Sequence, residues 1–367
     1  MSARSLKVWL LSDGLPGHVN QARGLMNYLG DEYILEVIEV SAVLRWKAIR
    51  PVLRCLVHLV TTGSLPARDQ VGFRDRCLIR LLSAAYAPLT LPKEAPDLIV
   101  SAGGNTAFLN IALARSFRSH NLFMGSLRSL ASEQFTAVLT LDPVSGANDA
   151  PPNNNIIMPI LPSATRRSEN SDAAQLLRAD HSGTKLWSIL IGGDGVGYRY
   201  REEDWLALAL ALNLLGERLQ VRWLLSTSRR TGKVAEAILK RTLLPEYLAD
   251  ANWYLESPDN PTGAYQHAAE YVFCTADSMS MLHETIDQVA RVIALTPLEA
   301  RPPARYMDKL HRLYDAGFMR ETAMVDLHRW RPDAAHLPPQ AYLGERRWLR
   351  DLQLLLPSQW PRAKSSE

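Results

Sequence analysis

Ser12-Asp13-Gly14-Leu15-Pro16-Gly17-His18-Val19-Asn20-Gln21 follows directly on a hydrophobic run, Val8-Trp9-Leu10-Leu11. It leads into Ala22-Arg23-Gly24-Leu25-Met26-Asn27-Tyr28-Leu29, whose apolar residues recur at helical spacing. Strand, glycine loop and helix in that order open a doubly wound α/β domain. The loop then lies at the carboxyl edge of the sheet, where such domains bind ligands. Gly14 and Gly17 let the backbone approach a ligand closely, and the start of the helix favours negative charge. Asp13 and His18 add two titratable groups to the same loop. These residues also make an ordinary turn, because Asp and Gly are common turn formers. What the loop does therefore depends on what the rest of the chain adds.

The pattern recurs. Tyr33 to Val40 reads as a second strand, rich in β-branched residues. Asp97-Leu98-Ile99-Val100-Ser101-Ala102 reads as a buried parallel strand running into Gly103-Gly104-Asn105-Thr106 and a helix from Ala107 to Arg115. Asn121 to Met124 and Ala137 to Thr140 supply further strands. From Pro143 to Thr184 periodicity fades among prolines, asparagines and serines, which predicts the end of a first domain over 1–165 and a linker over 166–184. A length of 367 residues fits two domains. The second, 185–339, begins with the strand Leu186 to Ile191 and Gly192-Gly193-Asp194-Gly195. Glu202-Glu203-Asp204 then opens a helix with acid in its first turn, as the helix dipole favours. The strand Val221 to Ser226 ends in Thr227-Ser228-Arg229-Arg230-Thr231-Gly232, with a helix from Lys233 to Arg241. Tyr271 to Thr275 leads into Ala276-Asp277-Ser278-Met279-Ser280 and a helix from Met281 to Asp287, and Val289 to Leu295 is the last apolar strand. Near the end, Glu345 to Leu356 reads as a helix with Trp348, Leu349, Leu352 and Leu355 on one side. The segment 340–367 is expected to rejoin the first domain.

Composition narrows the class. Cys55, Cys77 and Cys274 show neither metal-ligand spacing nor a disulfide framework, which fits a reducing cytoplasm. A net charge of +3 is too small for a dedicated nucleic-acid binder. No run is long enough to span a bilayer, and the first strand starts too soon to leave room for a signal peptide. Positive charge is nevertheless concentrated. Between Val43 and Leu91, Arg45, Lys47, Arg50, Arg54, Arg68, Arg74, Arg76 and Arg80 stand against only Asp69 and Asp75, interleaved with Trp46, Val52, Leu53, Leu56, Val57 and Leu59. Such a segment either covers a sheet with a solvated basic face or rests on anionic lipid headgroups.

The loops of the second half suggest an anion site. Arg229 and Arg230 offer guanidinium forks that match phosphate oxygens in pairs, and Thr231 adds a hydroxyl. Ser278 and Ser280 put hydroxyls at a helix start, and Glu284, one turn on, can accept hydrogen bonds from ribose. No Asp-x-Asp pair is present, and no His or Cys cluster has metal-ligand spacing.

The opening loop, Gly103-Gly104, Gly192-Gly193, Thr227-Ser228-Arg229-Arg230-Thr231 and Thr275-Ala276-Asp277-Ser278-Met279-Ser280-Met281 occur in this order. In this the chain resembles the mitochondrial fission ELM (elongated mitochondria) family, from about Val8 to Phe318. That family is assigned to the GT-B glycosyltransferases, and some bacterial members are linked to building the lipopolysaccharide core. The Ser278, Ser280, Glu284 arrangement also looks like the donor site of lipid A disaccharide synthase and of the enzyme making lipid II. The chain departs from the family pattern at Leu15, at Asn105 and in the turn Asp287-Gln288-Val289-Ala290.

The resemblance implies two Rossmann-like domains facing across a cleft, with the acceptor on the first and a nucleotide-sugar on the second. Gly14, Gly17, Gly103, Gly104 and Asn105 would then lie on the acceptor side. Gly193, Arg229, Arg230, Thr231, Ser278, Ser280 and Glu284 would line the donor site. The expected reaction is metal-independent, inverting sugar transfer to a lipid-linked, lipopolysaccharide or polysaccharide acceptor, with no cofactor and no nucleic-acid partner. It would occur in the cytoplasm, peripherally on an anionic membrane's inner face. A base must take the acceptor's proton, and either His18 supported by Asp13 or the reverse fits. A nucleotide-sugar epimerase of the same two-domain form, or a non-catalytic membrane-remodelling scaffold, are the alternatives.

Overall fold

The first strand, β1 (Leu6–Ser12), is buried on both faces, with only Lys7 partly exposed, as a central strand of a parallel sheet must be. In the computed structural model, described for residues 5–60, 73–87, 89–144, 151–164, 167–257, 261–288, 291–333 and 347–363, it is the hub of the first of two units. The first unit comprises Met1–Ala164 with Arg346–Glu367, and the second Thr165–Glu345.

In the first unit β1 is followed by α1 (Pro16–Gly30), β2 (Leu35–Ser41), α2 (Arg50–Val60), α3 (Phe73–Ala85), β3 (Leu98–Ala102), α4 (Ala107–Phe117), β4 (His120–Met124), β5 (Ala137–Thr140) and β6 (Asn155–Ile157). The sheet order is β2-β1-β3-β4-β5-β6, with every neighbouring pair parallel. Alternate residues divide between two layers, as strand geometry requires. Trp9, Leu11, Ile99, Phe123 and Val138 pack with residues of α2, α3 and α4. Val8, Leu10, Leu98, Val100 and Leu122 pack with α1 and with a helix from the far end of the chain. Of the basic, apolar segment, Leu53, Val57, Leu78 and Leu82 belong to this core.

The second unit contains α5 (Arg167–Asp180), β7 (Lys185–Leu190), β8 (Tyr198–Arg199), α6 (Glu202–Leu219), β9 (Val221–Ser226), α7 (Gly232–Thr242), β10 (Leu248–Asn252), α8 (Thr262–Ala268), β11 (Val272–Thr275), α9 (Met279–Gln288), β12 (Val292–Thr296), β13 (Glu299–Ala300), α10 (Ala304–Asp315) and β14 (Arg320–Ala323). Its parallel sheet runs β10-β9-β7-β11-β12-β14. Trp187 centres the core, with the rings of Trp223, Tyr271, Phe273 and Trp330 at 5.0–5.8 Å. The chain then returns to the first unit as α11 (Arg347–Leu355).

One reading needs correction. The stretch expected as a linker, 166–184, is helical over Arg167–Asp180 and lies in the second unit. Among its side chains that are described, Ala174 and Leu177 pack inward, against a small cluster with Leu186 and Tyr265. So thin an apolar stripe does not show through a sequence rich in Ser, Asn and Asp. The last inner strand also starts later than expected, at Val292, and residues 289–290 lie outside the described ones.

Strand order fixes where ligands bind. In the first sheet the winding reverses at β1 and β3, and in the second at β7 and β11. Crevices open at the carboxyl ends of the strands at such points. The loops there are Asp13 to His18 and Gly103 to Asn105 in the first unit, and Gly192 to Asp194 and Ala276 to Ser278 in the second. Two doubly wound Rossmann-like units of this kind compose the GT-B class.

Candidate functional site

In the first unit the chain leaves β1 through Asp13 and turns at Gly14, whose φ of +74° is one that glycine adopts without strain. The Leu15 amide donates to Asp13 Oδ1 at 3.2 Å, and Pro16 starts α1. One turn into the helix, His18 swings back so that Nδ1 lies 2.9 Å from Asp13 Oδ2. The carboxylate is 1% exposed and the imidazole 35%, so the acid is enclosed and the ring reachable. Gly103 makes this possible. A Cβ there would sit 2.2 Å from His18 Nδ1.

One further side chain holds Asp13, and two others hold that one. Asn105 Nδ2 donates to Asp13 Oδ2 at 3.1 Å. The amide is oriented from its other end by Arg50, whose Nε and Nη2 donate to Asn105 Oδ1 at 3.0 and 2.6 Å. Tyr86, buried, donates its hydroxyl to the Asn105 carbonyl at 2.6 Å, and burial raises its phenol well above the ordinary range. The result is a directed chain of donors, from guanidinium to amide to carboxylate, that ends at a histidine. Of the acceptor-side residues, Asn105 joins it and Gly103 makes room for it. Gly14 shapes its turn, and Gly104 lies against Arg128. Gly17 is exposed with open space around it.

In the second unit the glycine turn after β7 is met by the loop after β9. A Cβ on Gly193 would lie 2.1 Å from the Arg230 carbonyl oxygen, so the two backbones touch only because this position is glycine. Thr231 is buried and donates to the Ile191 and Gly192 carbonyls at 3.0 and 2.6 Å; its hydroxyl joins two loops. Arg230 Nη2 lies 2.6 Å from Asp277 Oδ2, an ion pair between a side chain 36% exposed and one fully buried. Asp277 also accepts from Tyr200 Oη at 3.0 Å and from the Gly193 amide at 3.3 Å. Burial pushes the Asp277 carboxyl upward, opposed by the Thr275 hydroxyl, the Arg230 charge and the Gly193 amide. The Tyr200 phenol is pushed up by burial and by the Asp277 charge, so it is the donor of that bond.

The remaining residues expected at the donor site stand apart from this cluster. Arg229 is exposed. Ser278 and Ser280 have their hydroxyls 3.4 Å from each other at the start of α9, and Glu284 is half-buried one turn on. Among the described residues no hydrogen bond joins Arg229, Ser278 or Ser280 to the Arg230–Asp277 pair. Thr227, in the same motif, donates to the buried Glu236 at 2.6 Å and accepts the Tyr254 amide at 2.8 Å, which fastens the loop after β10.

Asp277, Tyr200, Arg50 and Tyr86 were not singled out as site residues from sequence. Asp277 had a signal, an acid at a strand's end inside a quoted motif. Arg50 sits in the basic segment read either as a solvated face or as a lipid-facing surface. Among the described residues no three His, Cys, Asp or Glu side chains cluster as metal ligands, and no helix is long and apolar enough to cross a membrane.

The chain is similar to several solved structures. MurG of Acinetobacter baumannii is 13% identical over 95% of this chain and 94% of its own, with a TM-score of 0.42. The ADP-heptose lipopolysaccharide heptosyltransferase II of E. coli is 13% identical over 95% and 98%, with a TM-score of 0.42. The UDP-GlcNAc 2-epimerase of Methanocaldococcus jannaschii, in complex with UDP-GlcNAc and UDP, is 12% identical over 96% and 99%, with a TM-score of 0.46. No curated protein sequence matches. The family described as mitochondrial fission ELM1 matches over residues 16–336, most of the chain, and the chain belongs to that family.

Proposed function

We propose that this protein transfers a sugar from a nucleotide-sugar to a hydroxyl of a lipid-linked or saccharide acceptor, and that it inverts the anomeric centre. The observation that carries the reading is the enclosed Asp13 carboxylate set against a reachable His18 at the switch point of the first sheet. With Asp13 ionised, Nδ1 carries the proton and donates to it. Nε2 is then left with its lone pair, the state in which imidazole accepts a proton from an attacking hydroxyl. In the second unit Arg230 and Arg229 meet the diphosphate leaving group. Asp277 fixes one edge of the Arg230 guanidinium and leaves its other donors for phosphate oxygens. Ser278, Ser280 and Glu284 take the ribose and nearby phosphate.

A thermal-shift screen of nucleoside mono- and diphosphates tests the donor half. A nucleotide at 100 times its Kd is expected to add about 2.7 kcal/mol of stability, and no shift with any nucleotide would favour a scaffold. Incubation with a nucleotide-sugar and no acceptor tests the reaction class: conversion of the sugar would identify an epimerase.

We also propose that the first unit rests on an anionic membrane. Trp46, Val52, Leu59 and Leu81 are exposed, as are Arg45 and Lys47, while residues 61–72 of the segment lie outside the described ones. Each basic side chain near such a surface contributes about 1 kcal/mol, screened by salt. Flotation with phosphatidylglycerol vesicles is expected to fall as salt rises, and flotation indifferent to salt and lipid charge would count against the attachment.

A further inference from the structure

The turn after β4 is strained in an unusual way. Its ends, Leu127 and Leu130, pack into the first unit's core, and the Leu130 amide donates to the Leu127 carbonyl at 2.9 Å. The two residues between them, Arg128 and Ser129, both have positive φ, +48° and +75°. Turns with two such residues are ordinarily built from Asn and Gly, since side-chain-bearing residues are strained there. Here the first is an arginine. The turn delivers its side chain onto the loop after β3: Arg128 Cδ and Nε lie 3.5 Å from where a Gly104 Cβ would be, and its guanidinium carbon 3.8 Å. The Arg128 side chain thus lies within van der Waals reach of the Gly104 position.

The neighbourhood is cationic. Asn105, the next residue, carries the Arg50 guanidinium at 2.6–3.0 Å, and Arg54 lies one helical turn further along α2. Asp13, the acid bonded to Asn105, also lies against His18. Among the described residues no ion pair neutralises Arg128 or Arg50. Two guanidiniums thus flank a glycine loop at the same sheet edge as His18.

We infer that Arg128, seconded by Arg50, forms an anion subsite for a phosphate ester on the acceptor, so that the acceptor of the first unit is a phosphorylated molecule. This rests on the glycosyltransferase reading and narrows its acceptor class. Guanidinium forks match phosphate oxygens in pairs, and strain is tolerated where it aims such a group. The phosphate would sit over Gly104 and hold the acceptor hydroxyl near His18.

The probe is inorganic pyrophosphate, titrated calorimetrically at low ionic strength into the full chain. The background carries Arg229→Ala and Arg230→Ala, so that the second unit's cations do not contribute. Arg128→Gly is the informative variant, because glycine relieves the strained φ while removing the guanidinium. It is expected to weaken pyrophosphate about 10- to 100-fold, as loss of charge-assisted hydrogen bonds does, and to keep or raise the melting temperature. Arg128→Lys, which keeps charge but not the fork, is expected to fall between. Pyrophosphate affinity equal in parent and Arg128→Gly overturns the subsite, whatever nucleotides do. Flotation on phosphatidylglycerol vesicles that falls with Arg128→Gly as steeply as pyrophosphate binding does would also overturn it, by assigning the cation to lipid headgroups. Nucleotide binding and sugar transfer are measured separately on the protein with Arg229 and Arg230 intact. A failed donor reading therefore shows as lost nucleotide response with Arg128-dependent pyrophosphate binding intact.

Discussion

Replacing His18 with alanine, or Asp13 with asparagine, is expected to slow sugar transfer by about two to four orders of magnitude, the usual loss when a general base is removed. Nucleotide affinity and the melting temperature should stay close to the parent's. His18 is part-exposed near the start of α1, where alanine is well accommodated. Asparagine in place of Asp13 keeps the shape of the buried acid, but its amide cannot reproduce a carboxylate that accepts on both oxygens, from Asn105 Nδ2 and His18 Nδ1 at Oδ2 and from the Leu15 amide at Oδ1. With its oxygen at the Oδ2 place, the asparagine turns its NH2 donor against the Leu15 amide; turned over, it sets that donor against Asn105 and His18; either way the imidazole loses its charged acceptor. The double variant separates the roles. If His18 is the base and Asp13 its support, the double variant is no slower than His18→Ala, because residues acting as one unit are not additive. If both single variants transfer sugar near the parent rate, the loop is only a turn.

The second large effect concerns stability and donor affinity together. Asp277→Ala removes the acceptor for the Tyr200 hydroxyl, the Gly193 amide and the Arg230 guanidinium at once. Breaking a buried pair from one side costs about 3–5 kcal/mol; the part-exposed Arg230 argues for the lower end. About 3 kcal/mol corresponds to a fall of roughly 6–12 °C in Tm for a domain of this size. Arg230 then loses its fixed edge, and nucleoside diphosphate affinity is expected to drop about tenfold or more. Asp277→Asn, which keeps an oxygen for Tyr200, should be milder in stability. A Tm within about 1 °C of the parent's in Asp277→Ala, checked by calorimetry, would show that the cluster is incidental.

The parts legible in the sequence are those written locally. Val8 to Leu11 and Asp97 to Ala102 announce central strands because both faces are apolar, and the glycines that follow them mark sheet edges. The Asp13–His18 contact was within reach because the two are five residues apart on one loop. What escaped was carried by distance or by thin patterns. Arg50 meets Asn105 across 55 residues, and Tyr200 meets Asp277 across 77. No spacing rule links such pairs; only strand order brings them together. β10, Leu248-Ala249-Asp250-Ala251-Asn252, escaped as a half-exposed edge strand with little apolar content. The hydroxyl of Thr231 looked free for a ligand because its partners, two backbone carbonyls of another loop, leave no trace in sequence.

The return of α11 to the first unit sets an order of events during synthesis. Trp348, Leu349, Leu352 and Leu356 fill the layer under Val8, Leu10 and α1, and the Trp348 ring stands edge-on to Tyr28 at 5.5 Å. Beyond the helix, the Ile34 amide donates to the Pro361 carbonyl, and the Ala363 amide to the Glu32 carbonyl. A ribosome that has finished 164 leaves that layer uncovered until it has also made the whole second unit and reached 346. At roughly 5–20 residues per second the interval is on the order of 10 to 40 s. During it, the apolar side of β1 and α1 has no partner from the far end of the chain, and the loop bearing Asp13 and His18 extends from a sheet covered on one face only in part. A nascent chain of this protein therefore depends on residues 347–363 to finish its first domain. A prematurely terminated product would expose that layer to chaperones and proteases, although every residue of the Asp13–His18 loop is present.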